Sequence, residues 1–142
     1  MRLSSKPGDR VLDAYALLAF FQGEKGASRV ASALAEAEKG RCLLSISMIN
    51  VAEVFYRLCK CGMPEAAESF LEHLKRGEIP VETVSATDRR VLSAARLKAG
   101  FRLSLADAFA AGLAAEKGVP VLTGDPEFRA ILEAGVVDVE WL

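Results

Sequence analysis

Short apolar runs alternate along the chain with longer segments that carry apolar residues at helical spacing. The short runs predict strands at 10–13, 42–46, 79–84, 119–123 and 136–141. The longer segments predict helices at 14–22, 27–39, 48–60, 63–76, 88–98, 104–117 and 126–134, most of them followed by a glycine that ends the helix. Because strands and helices alternate, the pattern predicts an α/β fold with a mostly parallel sheet and helices on both faces.

Length and composition limit the number of domains and the kinds of partner. The chain has 142 residues, of which 51% are apolar, so we expect one domain, 1–142, with a full core. Its formal net charge is -1, which argues against a protein that coats nucleic acid through bulk charge but leaves a local basic patch open. No apolar run is long enough to span a membrane, and the first ten residues lack a signal-peptide core, so we expect a cytoplasmic protein.

Cysteine and histidine usage excludes several kinds of site. The chain has three cysteines and one histidine, which do not form a zinc framework. A single histidine also removes most nucleophile–histidine schemes. The chemistry is therefore expected to rest on other side chains.

Four acidic residues stand out by their position in the predicted topology. Asp13 and Asp125 follow predicted strands, Glu53 lies in the helix after the second strand, and Asp107 lies in the first turn of a helix. In a parallel sheet the carboxyl ends of the strands share one edge, where ligands collect. We therefore expect the four carboxylates to lie on the same side of the domain.

Each acid also has a purely structural interpretation. Asp13 and Asp125 are suitable N-caps, and Ser104 with Asp107 matches a capping box. Glu53 could pair with Arg57 one helical turn later. Helix capping cannot account for Glu53, because this residue lies in the middle of its helix.

Converging carboxylates would repel one another and raise one another's pKa values. No lysine or histidine recurs in the four motifs to offset that charge. A hard divalent cation would offset the negative charge of the carboxylates. A site made of carboxylates alone favours Mg²⁺ or Mn²⁺ over zinc.

The motifs around the four acids resemble those of the PIN domain family, and within it the VapC-type toxins of prokaryotic toxin–antitoxin pairs. They read VLDAYALL, S-x-x-N-V-A-E-V, S-L-A-D-A and L-T-G-D-P-E-F, in that order. The resemblance covers about residues 10–142. It implies a Rossmann-like α/β/α sandwich with a five-stranded parallel sheet.

The resemblance also implies an activity and a set of site residues. The activity is metal-dependent endoribonuclease cleavage, with one or two Mg²⁺ or Mn²⁺ ions held by Asp13, Glu53, Asp107 and Asp125. Thr123 is expected to support Asp125, and Ser47 and Asn50 are weaker candidates for the same supporting role. Implied partners are an RNA substrate, a small VapB-like antitoxin and a second copy of the chain in a homodimer.

Basic and aromatic residues could contact RNA, but each also has a purely structural interpretation. Arg57, Lys60 and Arg102 could rim a groove for the RNA backbone, although a solvated helix face would look the same. Aromatic residues such as Tyr15 and Tyr56 are expected to serve core or dimer packing, with base stacking open for one or two of them.

Other functions remain open at this stage. A receiver-like phosphoacceptor domain needs paired acids after the first strand and a lysine after the fifth, and a haloacid-dehalogenase-like phosphatase needs D-x-D; the sequence has neither pattern. A PIN-like module that binds RNA or protein without cutting, an RNA-processing nuclease without an antitoxin, and a structural domain with capping acids are the remaining alternatives.

Overall fold

A five-stranded parallel sheet forms the centre of the computed structural model, which describes residues 5–142. Its strands are β1 (Arg10–Leu12), β2 (Leu44–Ser47), β3 (Glu82–Val84), β4 (Val121–Thr123) and β5 (Val139–Trp141). Their order across the sheet is β3-β2-β1-β4-β5, and all four pairings are parallel. The predicted α/β class, parallel sheet and strand number are confirmed.

Helices pack on both faces of this sheet, as predicted. They are α1 (Ala14–Gln22), α2 (Ala27–Glu38), α3 (Met48–Lys60), α4 (Pro64–Lys75), α5 (Asp88–Gly100), α6 (Leu105–Lys117) and α7 (Arg129–Glu133). One core packs Val11 and Val121 against residues of α5, α6 and α7. The other packs Leu12 and Leu122 against residues of α1, α2, α3 and α4. Successive strand residues therefore point into opposite cores, as the pleat of a β-strand requires.

Several element boundaries differ from the prediction. β3 starts at Glu82 instead of 79, and β4 at Val121 instead of 119, because Pro80 and Pro120 have no N–H for a strand ladder. β2 is shifted to Leu44–Ser47, β5 is shorter than predicted, and α5 continues to Gly100. The segment predicted as one helix at 126–134 divides into a 3₁₀ turn, Pro126–Phe128, and the short helix α7.

The strand order creates a crevice at the carboxyl ends of β1 and β4. From β1 the chain moves outward to β2 and β3, and then returns to β4 on the other side of β1. Parallel sheets bind ligands at such a reversal of strand order. Leu12 pairs with both Ile46 and Leu122, so the residues that follow them, Asp13, Ser47 and Thr123, lie at one level of this edge.

None of the helices within residues 5–142 combines the length and the apolar character needed to cross a membrane.

Candidate active site

Asp13 lies at the centre of the carboxyl edge and is almost completely buried. Its Oδ1 accepts a hydrogen bond from the N–H of Ala16 at 2.9 Å, which caps α1. Its Oδ2 accepts one from the Thr123 hydroxyl at 2.5 Å. The Thr123 oxygen in turn accepts the N–H of Asp125 at 3.0 Å. One buried threonine therefore links two of the predicted acids, as the supporting role expected of it requires.

The surroundings of Asp13 favour its protonated form. The pKa of Asp13 is raised from its ordinary value of 3.8 to about 7, mainly by burial and also by the charges of Asp125 and Glu53, while the hydrogen bonds from Thr123 and Ala16 oppose the shift. The effect of Asp125 and Glu53 means that both carboxylates lie close enough to Asp13 to act on it electrostatically.

Asp107 is held in the first turn of α6, where the Ser104 hydroxyl accepts its N–H at 3.1 Å. The predicted capping box is only half formed by this pair. The N–H of Ser104 donates to Oε1 of Glu127 at 3.2 Å, so a residue 23 positions away accepts the second bond of the box. The carboxylate of Asp107 is therefore available to the other acids.

Asp107, Asp125 and Glu127 form the most compact acidic group of the site. One carboxylate oxygen from each lies within 4.8 Å of the other two. Burial raises the pKa of the Asp107 carboxyl from 3.8 to about 9, with further contributions from hydrogen bonding to Glu127 and from the charge of Asp125. Hard oxygen donors that repel one another suit a divalent cation, whose charge would relieve the repulsion.

Glu127 was missed at the level of sequence. It lies two residues after Asp125, inside the 3₁₀ turn, and its N–H donates to Oδ1 of Asp125 at 2.9 Å. An acid in a first helical turn has an ordinary explanation in the helix dipole, so the pattern did not single it out. The spacing D-x-E at the end of a buried strand is the signal that could have identified it.

Glu53 forms the ion pair expected within its helix and also lies at the acidic cleft. Nε of Arg57 lies 2.7 Å from Glu53 Oε2, so the ion pair within α3 forms. Glu53 also lines a cleft of about 280 Å³ together with Asp107 and Asp125. The structure thus brings the four predicted acids to one region: three line the cleft, and Asp13 is buried beside them.

Asn50 fixes the two helices that carry Asp13 and Asp107 relative to each other. The side chain is completely buried. Its Oδ1 accepts the N–H of Ala14 at 3.0 Å, and its Nδ2 donates to the carbonyl of Ala106 at 3.1 Å. These backbone groups directly neighbour the two acids, which gives Asn50 a clear positioning role.

Ser47 has a different setting from Asn50. Its hydroxyl accepts the N–H of Ile49 at 3.2 Å and caps α3. It lines a separate small cavity with Arg90 and Phe109 and is not among the residues that line the acidic cleft. The structure gives Ser47 a helix-capping role but no contact with the four acids.

The three basic residues predicted to contact RNA lie at different places relative to the acidic cleft. Arg57 lines the acidic cleft itself. Lys60 is exposed further along α3, with Nζ 5.4 Å from the centre of the Tyr56 ring. Arg102 is exposed in the segment before α6. Of the three, Arg57 is the one whose position beside the acids is established.

Several solved structures have a fold similar to that of this chain. Similar solved structures include VapBC2 from Rickettsia felis bound to a DNA fragment from its promoter, with a TM-score of 0.70 and 15% identity, covering 94% of this chain and 98% of that chain. VapC20 from Mycobacterium tuberculosis, described as a sarcin-ricin loop cleaving toxin, has a TM-score of 0.65 and 18% identity, with coverages of 85% and 93%. FitAcB from Neisseria gonorrhoeae has a TM-score of 0.63 and 19% identity, with coverages of 91% and 94%. At these identities the likeness is one of fold.

The sequence itself gives a family. No curated protein sequence matches the chain. The sequence profile of the PIN domain matches residues 10–133, which include all four predicted acids and Glu127. The resemblance seen in the motifs is thereby confirmed, and the chain belongs to the PIN domain family.

Proposed function

We propose that the protein is a metal-dependent endoribonuclease that hydrolyses RNA phosphodiester bonds as the toxin of a toxin–antitoxin pair. The observation that carries the proposal is the group formed by Asp107, Asp125 and Glu127, with carboxylate oxygens within 4.8 Å of one another beside the buried Asp13. Membership of the PIN domain family and the likeness in fold to VapC20, described as an RNA-cleaving toxin, support the same activity.

The acids would hold one or two Mg²⁺ or Mn²⁺ ions. Asp107, Asp125 and Glu127 supply the compact donor group, with Asp13 and Glu53 on its borders. When bound, the cation supplies positive charge that offsets the phosphate charge and makes an attacking water more acidic. Oxygen donors without cysteine or histidine suit these two metals.

The chain's own residues hold the acidic groups in place for hydrolysis. Hydrolysis adds water across a P–O bond, so the attacking water loses a proton and the leaving oxygen gains one. The raised pKa values of Asp13, about 7, and Asp107, about 9, belong to the metal-free site, and these carboxyl groups would lose their protons when a cation is bound. Thr123 and Asn50 keep these groups in place through their buried hydrogen bonds.

RNA would reach the acids along the cleft that Arg57 lines. The Arg57 guanidinium, paired with Glu53, lies at the cleft and would be positioned to meet a phosphate. Lys60 and Arg102 would contact the backbone further from the cut.

The proposed protein partners are an antitoxin and a second copy of the chain. Several structural neighbours are toxin–antitoxin complexes, which supports a small VapB-like antitoxin as the inhibitor. Large apolar side chains are exposed on α3, α5 and α6 and supply a surface for a homodimer: Met48, Val91, Leu92 and Leu105. A toxin that acts on cellular RNA would work in the cytoplasm.

The test is cleavage of a mixed pool of structured RNA, including transfer RNA and ribosomal fragments, with Mg²⁺, Mn²⁺ or chelator. The variants are Asp107→Asn and, as the matched control, Asp88→Asn. Asp88 also lies in the first turn of a helix but is exposed. We expect discrete cuts from wild type and Asp88→Asn, and none with chelator or from Asp107→Asn. Equal cutting by wild type and Asp107→Asn would contradict the proposal.

A further inference from the structure

Tyr15 lies at the mouth of the acidic cleft and packs against the backbone next to Asp125. It is in the first turn of α1 and lines the cleft together with Asp107 and Asp125. A Cβ atom at position 124 would lie 2.4 Å from Cε1 and 2.8 Å from Cζ of the Tyr15 ring. A side chain at position 124 would therefore overlap the Tyr15 ring where it now lies and would force the ring to move.

The backbone conformation at position 124 does not itself require glycine. The positive-φ glycines of the chain include eight positions, and Gly124 is not one of them. A larger residue could therefore adopt the backbone conformation but would collide with Tyr15. Since Gly124 immediately precedes Asp125, the contact fixes the ring relative to the acidic group.

The ring is supported but remains available to a ligand. Tyr15 is 42% exposed although Gly124 lies against it. Leu18, Ala19 and Gln22 follow it at helical spacing and line the same cleft, so one stripe of α1 forms a continuous wall that starts at the acids. Glu53 and Arg57 of α3 line the cleft as well.

The cleft is of a size that could hold a single nucleoside unit. Its volume of about 280 Å³ is at the lower end of small-molecule sites, roughly 300–1,000 Å³. An aromatic ring fixed beside a phosphate-cleaving centre is the usual platform for an unstacked base of single-stranded RNA.

We propose that Tyr15 stacks on the nucleobase next to the scissile phosphate, and that Gly124 is glycine so that the ring can take this position. The inference rests on the proposed nuclease function and deepens it. The substrate is single-stranded at the cut, and the Tyr15 ring stacks on the face of the adjoining base. Stacking is tolerant of base identity, so Tyr15 would contribute affinity and register more than sequence choice.

The test uses single-stranded RNA oligonucleotides that each carry one 2-aminopurine, whose fluorescence is quenched on stacking. Binding is measured with Ca²⁺ in place of Mg²⁺ to separate it from cleavage. The variants are Tyr15→Phe, which keeps the ring, and Tyr15→Leu, which removes it. Phe21→Leu is the control, because Phe21 lies on the same helix, is 41% exposed and does not line the acidic cleft.

We expect wild type, Tyr15→Phe and Phe21→Leu to quench the probe at the same position in the oligonucleotide. Tyr15→Leu should lose the quenching and bind roughly 5- to 150-fold more weakly, the range seen when one stacked base loses its aromatic partner. Unchanged quenching and affinity in Tyr15→Leu, or no quenching by wild type at any position, would overturn the inference.

A double-mutant cycle tests the role of Gly124. Gly124→Ala should weaken RNA binding in the wild-type background by displacing the ring, and should have little effect when Tyr15→Ala has already removed the ring. Equal losses in both backgrounds would mean that the contact between Gly124 and Tyr15 does not matter for RNA.

The outcomes separate this inference from the nuclease proposal. If wild type cuts RNA and Tyr15→Leu cuts it with unchanged KM, stacking is wrong while the nuclease remains. If no protein cuts RNA with any metal, the nuclease proposal fails, and the fluorescence measurement still decides the stacking. Loss of affinity for a bound protein partner, with RNA quenching unchanged, would assign this wall to protein binding and overturn the inference.

Discussion

Asp13, Asp125 and Glu127 each accept a backbone N–H and also belong to a common acidic site. Asp13 caps α1 and bonds to Thr123, and Asp125 caps the 3₁₀ turn while its charge acts on Asp13 and Asp107. The capping and site interpretations are therefore compatible, because a carboxylate has two oxygens with several lone pairs. The caps hold Asp13 and Asp125 in place, and burial together with neighbouring charges raises the pKa values of Asp13 and Asp107.

Crowding gives a prediction about pH. The folded-state pKa values of Asp13 and Asp107 are raised to about 7 and about 9 from 3.8, so the folded protein binds these protons more tightly than the unfolded chain. Their contribution to stability is fully present below pH about 4 and is lost as the pH rises through 7 and 9. Without metal, the free energy of unfolding should fall over this range.

Asp107→Asn should reduce that fall and make the metal-free protein more stable than wild type at pH 9, by on the order of 1–3 kcal/mol. Urea unfolding with chelator at pH 5, 7 and 9 measures it, with Asp88→Asn as the exposed control. Parallel pH dependence in wild type and Asp107→Asn would show that Asp107 ionises normally.

Glu127 should matter as much as the acids that the sequence identified. Glu127→Gln keeps an oxygen that can accept the Ser104 N–H but removes the charge beside Asp107 and Asp125. We expect Mn²⁺ binding to weaken by about tenfold or more, with a change in the free energy of unfolding of less than about 1 kcal/mol. Titration calorimetry measures the affinity, and Glu133→Gln, an exposed residue of α7, is the control. Equal affinity in wild type and Glu127→Gln would exclude Glu127 from the metal site.

At the scale of elements, local patterns predicted most of the fold but not the partners of each strand. The periodicity of Val11-Leu12 and of Val121-Leu122 predicts buried strands, yet their direct pairing depends on packing between distant segments. Pro80 and Pro120 shorten β3 and β4 because proline has no N–H for a strand ladder, a rule that can be applied to the sequence alone. The bond between Ser104 and Glu127, 23 residues apart, depends on the tertiary structure, which is why the role of Glu127 was missed.

Asn50 and Ser47 were assigned one supporting role from sequence, but the structure distinguishes them. Asn50→Leu removes the acceptor of the Ala14 N–H and one donor to the Ala106 carbonyl, and should destabilise the protein by about 2–4 kcal/mol and weaken Mn²⁺ binding. Ser47→Ala should cost about 1 kcal/mol as a lost cap and leave Mn²⁺ binding unchanged.

Urea unfolding and Mn²⁺ titration of both variants check this difference. Equal effects of Asn50→Leu and Ser47→Ala on metal affinity would contradict the assignment of Asn50 as the residue that positions the acids.

At the scale of the whole molecule, the fold concentrates negative charge at one edge of a chain that is nearly neutral overall. The net charge is -1, and the strand order brings acids from β1, α3, α6 and the turn after β4 to one region. Composition gave no indication of this concentration, because it depends on topology and not on residue counts. The motif order did indicate it, since each acid lies at or after the carboxyl end of a parallel strand.

The central claim is that this edge is a site for divalent metal. Its most direct test is the electron paramagnetic resonance signal of free Mn²⁺, titrated with purified wild type, Asp107→Asn and Asp88→Asn at pH 7.5. We predict that wild type and Asp88→Asn take up one or two Mn²⁺ ions per chain, and that Asp107→Asn binds at least about tenfold more weakly. Equal uptake by all three proteins, or none by wild type, would contradict the account.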